Sequence, residues 1–211
     1  MDLYFTTHSS IAFQIIACIF GIHGLFFNIG DKHQLLYDIL FLETIVQIIE
    51  IFFYIFFLRT MLVNSVENMA TIRYYDWFIT TPTMLFSTIA YFEYQRNLSE
   101  PNSKQQTWKT FIQENYKNIL IIFALNACML IVGYLGEIQY IDNIFAVFIG
   151  FIFFTYMFHF IYVKYAHNSQ HIYIYYLMTF IWALYGVAAL LNDIDKNNVI
   201  NILDLFAKNV F

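Results

Sequence analysis

Lys208 lies four residues after Asp204, seven after Asn201 and eleven after Asn197. On a helix those spacings put all four side chains on one face. Arg73, Asp76, Thr80 and Ser87 share a second face by the same rule. Both sets sit in stretches that are otherwise apolar. Charge in lipid is costly, so such residues are expected to turn toward a bundle interior or a water-filled path. One chemistry is open to the set. Taking an amine out of water weakens its preference for the charged form, and a neutral amine condenses with a carbonyl to give a Schiff base. Asp76 and Asp204 would then hold the resulting cation. An ion-pair cluster with a purely structural role would show the same residues at the same spacing.

A third polar stripe runs through Glu43, Gln47 and Glu50, at spacings of four and three. Two acids in mid-membrane call for water or a polar partner. Ser10 and Gln14 earlier in the chain, with Asn197 and Asn201, could supply the other walls. The stripe fits a hydrated path or a static hydrogen-bond network. His167 and His171 are four apart but lack a third ligand, and there is neither a phosphate-cradling glycine loop nor an H-E-x-x-H motif, so no metal site is expected.

The elements that must position these residues are helices in a membrane. The 211-residue chain is 60% hydrophobic, 21% aromatic and only 12% charged. Soluble domains carry about 25% charged residues. Mean hydropathy is +0.60. Two prolines and seven glycines leave no linker, so residues 1–211 read as a single domain. No basic run suits nucleic acid. Cys18 and Cys128 both fall in apolar segments and do not read as a secreted-type disulfide. A transmembrane helix needs about 20 apolar residues, and seven stretches qualify: 9–29, 35–60, 66–95, 115–135, 143–164, 171–191 and 197–211. The last is only about 22 Å long at the helical rise, short of the ~30 Å hydrocarbon core, which leaves its far end open. Lysines and arginines concentrate in alternate joints (Lys32; Arg96, Lys104, Lys109 and Lys117; Lys164). The positive-inside rule then puts the N-terminus outside and the C-terminus in the cytoplasm.

Arg73-Tyr74-Tyr75-Asp76-Trp77 followed by Thr80-Thr81-Pro82 resembles the third-helix signature of microbial (type-1) rhodopsins, and Asp204-x-x-x-Lys208 resembles their seventh-helix signature. Trp182 and Tyr185 match the aromatic pair that flanks retinal in that family. The resemblance spans the whole chain and implies an all-α, seven-transmembrane-helix bundle, not an enzyme, in a plasma or host cell membrane. It implies that Lys208 carries all-trans retinal as a protonated Schiff base. Asp76 would be the primary counterion and proton acceptor, Asp204 the second counterion, and Arg73, Thr80 and Tyr185 parts of the same complex. Trp77 and Trp182 would sandwich the polyene. Thr81 with Asn126 would join the third and fourth helices. Met129 and Gly133 would line the pocket, or serve as ordinary packing residues.

Departures from the family pattern bear on mechanism. Ser87 stands where proton pumps of this family carry a carboxylic proton donor. Gly186 replaces a proline beside Tyr185, and the fifth helix lacks the usual tryptophan, for which Phe151, Phe153 or Phe154 could substitute. Glutamates along the second helix are a habit of channel-forming rhodopsins, and the small viral rhodopsins of the light-gated cation channel group resemble this chain best. The expected function is therefore a light-gated cation channel whose pathway is lined by Ser10, Glu43, Gln47, Glu50, Asn197 and Asn201. An outward proton pump is the alternative, and a sensory rhodopsin a third reading. The expected partners are the lipid bilayer and cations or protons, with a homo-oligomer left open.

Overall fold

The computed structural model describes residues 2–63, 69–99 and 106–209. Seven α-helices follow one another: α1 (Leu3–Gly24), α2 (Gln34–Val63), α3 (Met69–Leu98), α4 (Trp108–Glu137), α5 (Asn143–Ile161), α6 (Ile172–Ala188) and α7 (Asp193–Asn209). A 3-10 turn, Asp31–His33, leads into α2, and a π turn, Tyr162–Ala166, extends α5.

The helices match the expected seven, and their starts differ for capping reasons. α1 begins at Leu3 rather than at 9, because the Asp2 carboxylate accepts the Tyr4 N–H at 3.1 Å. α4 begins at Trp108 rather than at 115, because Thr107 and Thr110 form a reciprocal capping box. α7 begins at Asp193 rather than at 197. Asn192 Oδ1 accepts the Asp195 N–H at 3.0 Å there, and Asp193 and Asp195 lie in the first turn, where the helix dipole favours acids. The polarity of these stretches suggested joints; the caps turn them into helix. Residues 66–68 and 210–211 of the expected helices lie outside the described residues. α1 stops at Gly24, short of 29, and the chain reverses through Gly30, whose φ of 80° suits a residue without a Cβ.

Each helix packs on the next, and α7 returns to pack on α1, so the ring closes; α3 also reaches across to α7. The buried side of α3 changes character along its length. Arg73, Asp76 and Thr80 are buried in its first half, whereas in the second Met84, Leu85, Ile89, Ala90 and Phe92 outnumber the buried polar Ser87, Thr88 and Glu93. Those apolar residues join Leu35, Val46, Phe111, Ile122, Met157 and Phe158 in one large core. Large apolar side chains also cover the outside, with Phe20, Phe52, Phe148 and Phe180 exposed. Apolar residues on both sides of a helix are what lipid solvation demands. By length and composition, four helices qualify to cross a membrane: Leu3–Gly24, Asp31–Met61, Trp108–Glu137 and Asn143–Ala166. α3 is as long as α4 but buries Arg73, Asp76 and Glu93 inside the bundle.

Candidate functional site

The two helical faces that spacing singled out meet at the centre of the bundle. Lys208 is 4% exposed, and its Nζ lies 3.0 Å from Asp76 Oδ2 on α3 and 3.5 Å from Asp204 Oδ1 one turn back on α7. A third carboxylate joins them. Glu50 on α2, expected along a separate pathway, accepts a hydrogen bond from the Lys208 amine through its Oε1. α2 turns this face toward α7 throughout: Gln47 Nε2 donates to the Lys208 carbonyl at 3.1 Å. Glu50 therefore belongs to the lysine's ionic cluster as well as to the helix-α2 stripe.

Asp204 is the most heavily bonded of the three acids. Tyr185 OH donates to its Oδ1 at 2.7 Å, and Tyr54 OH to its Oδ2 at 2.6 Å. Arg73 Nη1 reaches the same Oδ2 at 3.2 Å. The guanidinium is 1% exposed, donates through Nε to Asn197 Oδ1 at 3.0 Å, and bonds Asn201 through Nη2. Its flat face lies 4.7 Å from the Phe57 ring centroid, a cation–π contact that stands in for part of the lost hydration. Asn201 Nδ2 then donates to Thr6 at 2.9 Å and Thr7 at 3.1 Å, and Ser10 donates to the Asn201 carbonyl at 3.0 Å. Ser10, Asn197 and Asn201 thus form a satisfied network between α1, α3 and α7.

Thr80 is fully buried, and its hydroxyl donates back to the Asp76 carbonyl at 3.0 Å instead of to a carboxylate. Such back-bonding recurs at Thr81 and Thr83 around Pro82, where proline deprives the helix of one N–H donor. Asn126 Nδ2 donates to Thr81 at 2.9 Å and so ties α4 to α3. Trp77 packs edge-on to Tyr185 with centroids 5.6 Å apart, and Trp182 lies across the bundle against Phe158.

Between these aromatics lies a cavity of about 130 Å³ that reaches Lys208 and is lined by Trp77, Thr81, Met129, Gly133, Trp182 and Tyr185. Of the three phenylalanines weighed for the tryptophan position, Phe151 and Phe154 line the cavity. Gly186 explains why Phe151 fits: a Cβ there would stand 2.7 Å from the Phe151 ring. A long apolar slot with the Lys208 amine at one end, ringed by carboxylates, suits an apolar aldehyde bound as a cationic imine.

A second set of polar atoms is buried without partners. Among the described residues it includes the Gln14 amide, Glu43 Oε1, Gln47 Oε1, Glu50 Oε2, Asp76 Oδ1 and Ser87 Oγ. Glu43 lies beside Ser87 on the neighbouring helix. The sequence reading missed Tyr54, Thr6, Thr7 and Asn198. Tyr54 was legible, since it falls four residues after Glu50 and extends the stripe on α2. Thr6 and Thr7 were hidden by the late start assigned to the first helix.

A family model described as bacteriorhodopsin-like protein matches residues 5–211. No curated protein matches the chain. Among solved structures, the viral rhodopsin OLPVRII is similar at TM-score 0.86 and 26% identity, covering 99% of this chain and 92% of that one. The rhodopsin of Exiguobacterium sibiricum is similar at TM-score 0.74 and 14% identity, covering 99% and 91%. Xanthorhodopsin, a light-driven ion pump with dual chromophore, is similar at TM-score 0.69 and 13% identity, covering 99% and 88%. With the family model matched along nearly its whole length, the chain belongs to the bacteriorhodopsin-like family: it is a microbial rhodopsin, a multi-pass integral membrane protein of a retinal-binding photoreceptor family, similar to the viral rhodopsins.

Proposed function

We propose that this protein is a light-gated cation channel that carries all-trans retinal on Lys208. Bound retinal would supply a light-driven isomerisation that moves charge at the lysine nitrogen. Asp76, Asp204 and Glu50 hold that charge in the dark, and Trp77 and Trp182 confine the chromophore.

The observation that carries the channel reading is the set of buried polar atoms on Gln14, Gln47, Glu50 and Asp76 that lack partners among the described residues, together with the Glu43–Ser87 contact. Buried polar groups are rarely left without partners, and a water needs two to four polar neighbours; α1, α2 and α3 supply such groups here. The lysine cluster adds a sign preference. Three carboxyl groups (Asp76, Asp204, Glu50) face two cations (Lys208, Arg73), so the cluster has one acid in excess. Acidic linings favour cations. The apolar core around Met84, Leu85 and Ile89 holds the resting state closed. Movement of charge at Lys208 would loosen Glu50 from it, and Glu50 links the chromophore to the polar run on α2.

Glu43 supports a second reading. Helix α3 lacks a carboxylic donor at Ser87, yet Glu43 brings a carboxyl group beside that serine from α2. An outward proton pump could use it to return a proton to the lysine side.

Voltage-clamp recording under illumination separates the two. A channel gives a photocurrent that changes sign with the driving force, and a pump gives one that stays outward. A photocurrent of fixed outward direction would overturn the channel reading. Glu50→Gln should reduce the photocurrent while pigment still forms; unchanged current and selectivity in both Glu50→Gln and Glu43→Gln would remove the assigned pathway. Lys208→Ala should abolish visible absorption, and a retained visible band would overturn the attachment site.

A further inference from the structure

The cavity that reaches Lys208 extends well beyond the residues beside that lysine. On α3 its wall runs from Ala70 to Met84, a distance of about 21 Å at the helical rise. On α7 it runs from Lys208 back to Lys196, twelve residues or about 18 Å away. The far end carries a charged pair. Lys196 Nζ lies 2.8 Å from Glu137 Oε1 and 3.2 Å from Asp193 Oδ1, and the Lys196 and Glu137 side chains are each 7% exposed. Both line the cavity, among apolar wall residues such as Ala70, Ala146 and Ile200.

Neither residue is where helix stability would put it. Glu137 is the last residue of α4, the negative end of that helix dipole, and Lys196 falls in the first turn of α7, the positive end. Each charge is disfavoured by its own helix and satisfied by the other's. The pair also joins two helices that are distant in the chain, α4 and α7, at the edge of the cavity.

We infer that Lys196 and Glu137 form a door that seals the far end of the retinal cavity against water and small polar nucleophiles. The inference rests on the retinal reading above. A paired charge fills the opening without drawing in solvent; removal of Lys196 leaves the buried Glu137 without that cation, and removal of Glu137 leaves Lys196 held only by the half-exposed Asp193, so in either case water must hydrate the charge that is left. Loss of either side chain therefore opens the slot to solvent while leaving Lys208, about 18 Å away, in its own surroundings.

The test is the rate of bleaching of the full pigment by hydroxylamine in the dark. Hydroxylamine nitrogen adds to the imine carbon, the Lys208 amine leaves, and retinal departs as its oxime, so the rate reports access to the cavity. Glu137→Gln and Lys196→Met should each bleach about tenfold faster than wild type, as expected when a local closed state is weakened. The exchange Glu137→Lys with Lys196→Glu, made together with Asp193→Asn so that no acid faces the new glutamate, rebuilds the pair and also suits both helix dipoles, so it should bleach more slowly than either single variant. Single variants that bleach within about twofold of wild type, or an exchange variant as fast as the singles, would overturn the door. A wild-type protein that forms no visible pigment with retinal would instead overturn the retinal reading, and the door with it.

Discussion

Asp204 takes hydrogen bonds from Tyr54, Tyr185 and Arg73 and also neighbours the Lys208 amine. A carboxylate that is 0% exposed needs such a shell, because each unmet acceptor bond in the interior costs roughly 1–3 kcal/mol. Tyr54 matters doubly, since its hydroxyl also lies 3.4 Å from Arg73 and 3.2 Å from Asn201. Tyr54→Phe keeps the ring and its edge-on contact with Phe57 but removes the donor. It is expected to lower stability by about 1–3 kcal/mol, read as an earlier thermal loss of the visible band. A melting temperature equal to wild type would mean that water replaces the hydroxyl and that Asp204 is less enclosed than its contacts imply.

Between elements, the contact of α5 with α6 depends on one small residue. Gly186 lets the Phe151 ring approach where any side chain would collide, so the two helices lock through an aromatic knob and a glycine hole. Gly186→Leu should overpack this contact and cost about 1–3 kcal/mol. A second change, Phe151→Ala, should return part of that loss, since it empties the space the new side chain needs. Thermal denaturation of the single and double variants measures the coupling, and additive losses would place Phe151 and Gly186 outside each other's reach. At the other wall of the same cavity, Gly133 gives way to Tyr74 in a similar manner, with a Cβ position 2.7 Å from the Tyr74 hydroxyl. Small residues at helix contacts are a common means of packing in membranes, where close approach replaces the hydrophobic drive available in water.

Across the whole molecule, charge is sorted by position. The polar cluster lies inside a ring of seven helices whose outer surface is apolar, and the remaining charges sit at the two ends. Lysines and arginines favour the end that carries the joints α1–α2, α3–α4 and α5–α6, and acids favour the other. This asymmetry supports a topology with the turn after α4 outside the cell. Tyr140 is 76% exposed in that turn. In a Cys128→Ser background, Tyr140→Cys should react with a membrane-impermeant thiol reagent added to intact cells. Labelling only after the cells are opened would reverse the topology.

Much of the site was legible because helical spacing is a local property. The intervals between Asp204 and Lys208, and between Arg73, Asp76 and Thr80, fix which side chains share a face whatever lies opposite them. Composition likewise determined that those faces must be buried in a membrane bundle, since lipid leaves a helix no other place for charge. The helix starts at Leu3, Trp108 and Asp193 were less legible, because one capping side chain outweighs the polarity of a whole turn. Only the tertiary structure decided which faces meet. Glu50 could as well have lined a separate path, and the rotation of α2 against α7 puts it on the Lys208 amine. Glu43 reaches Ser87, and Lys196 finds Glu137, for the same reason. Pairings between helices depend on how seven cylinders turn about their axes, and that is set by packing over the whole bundle rather than by any interval along the chain.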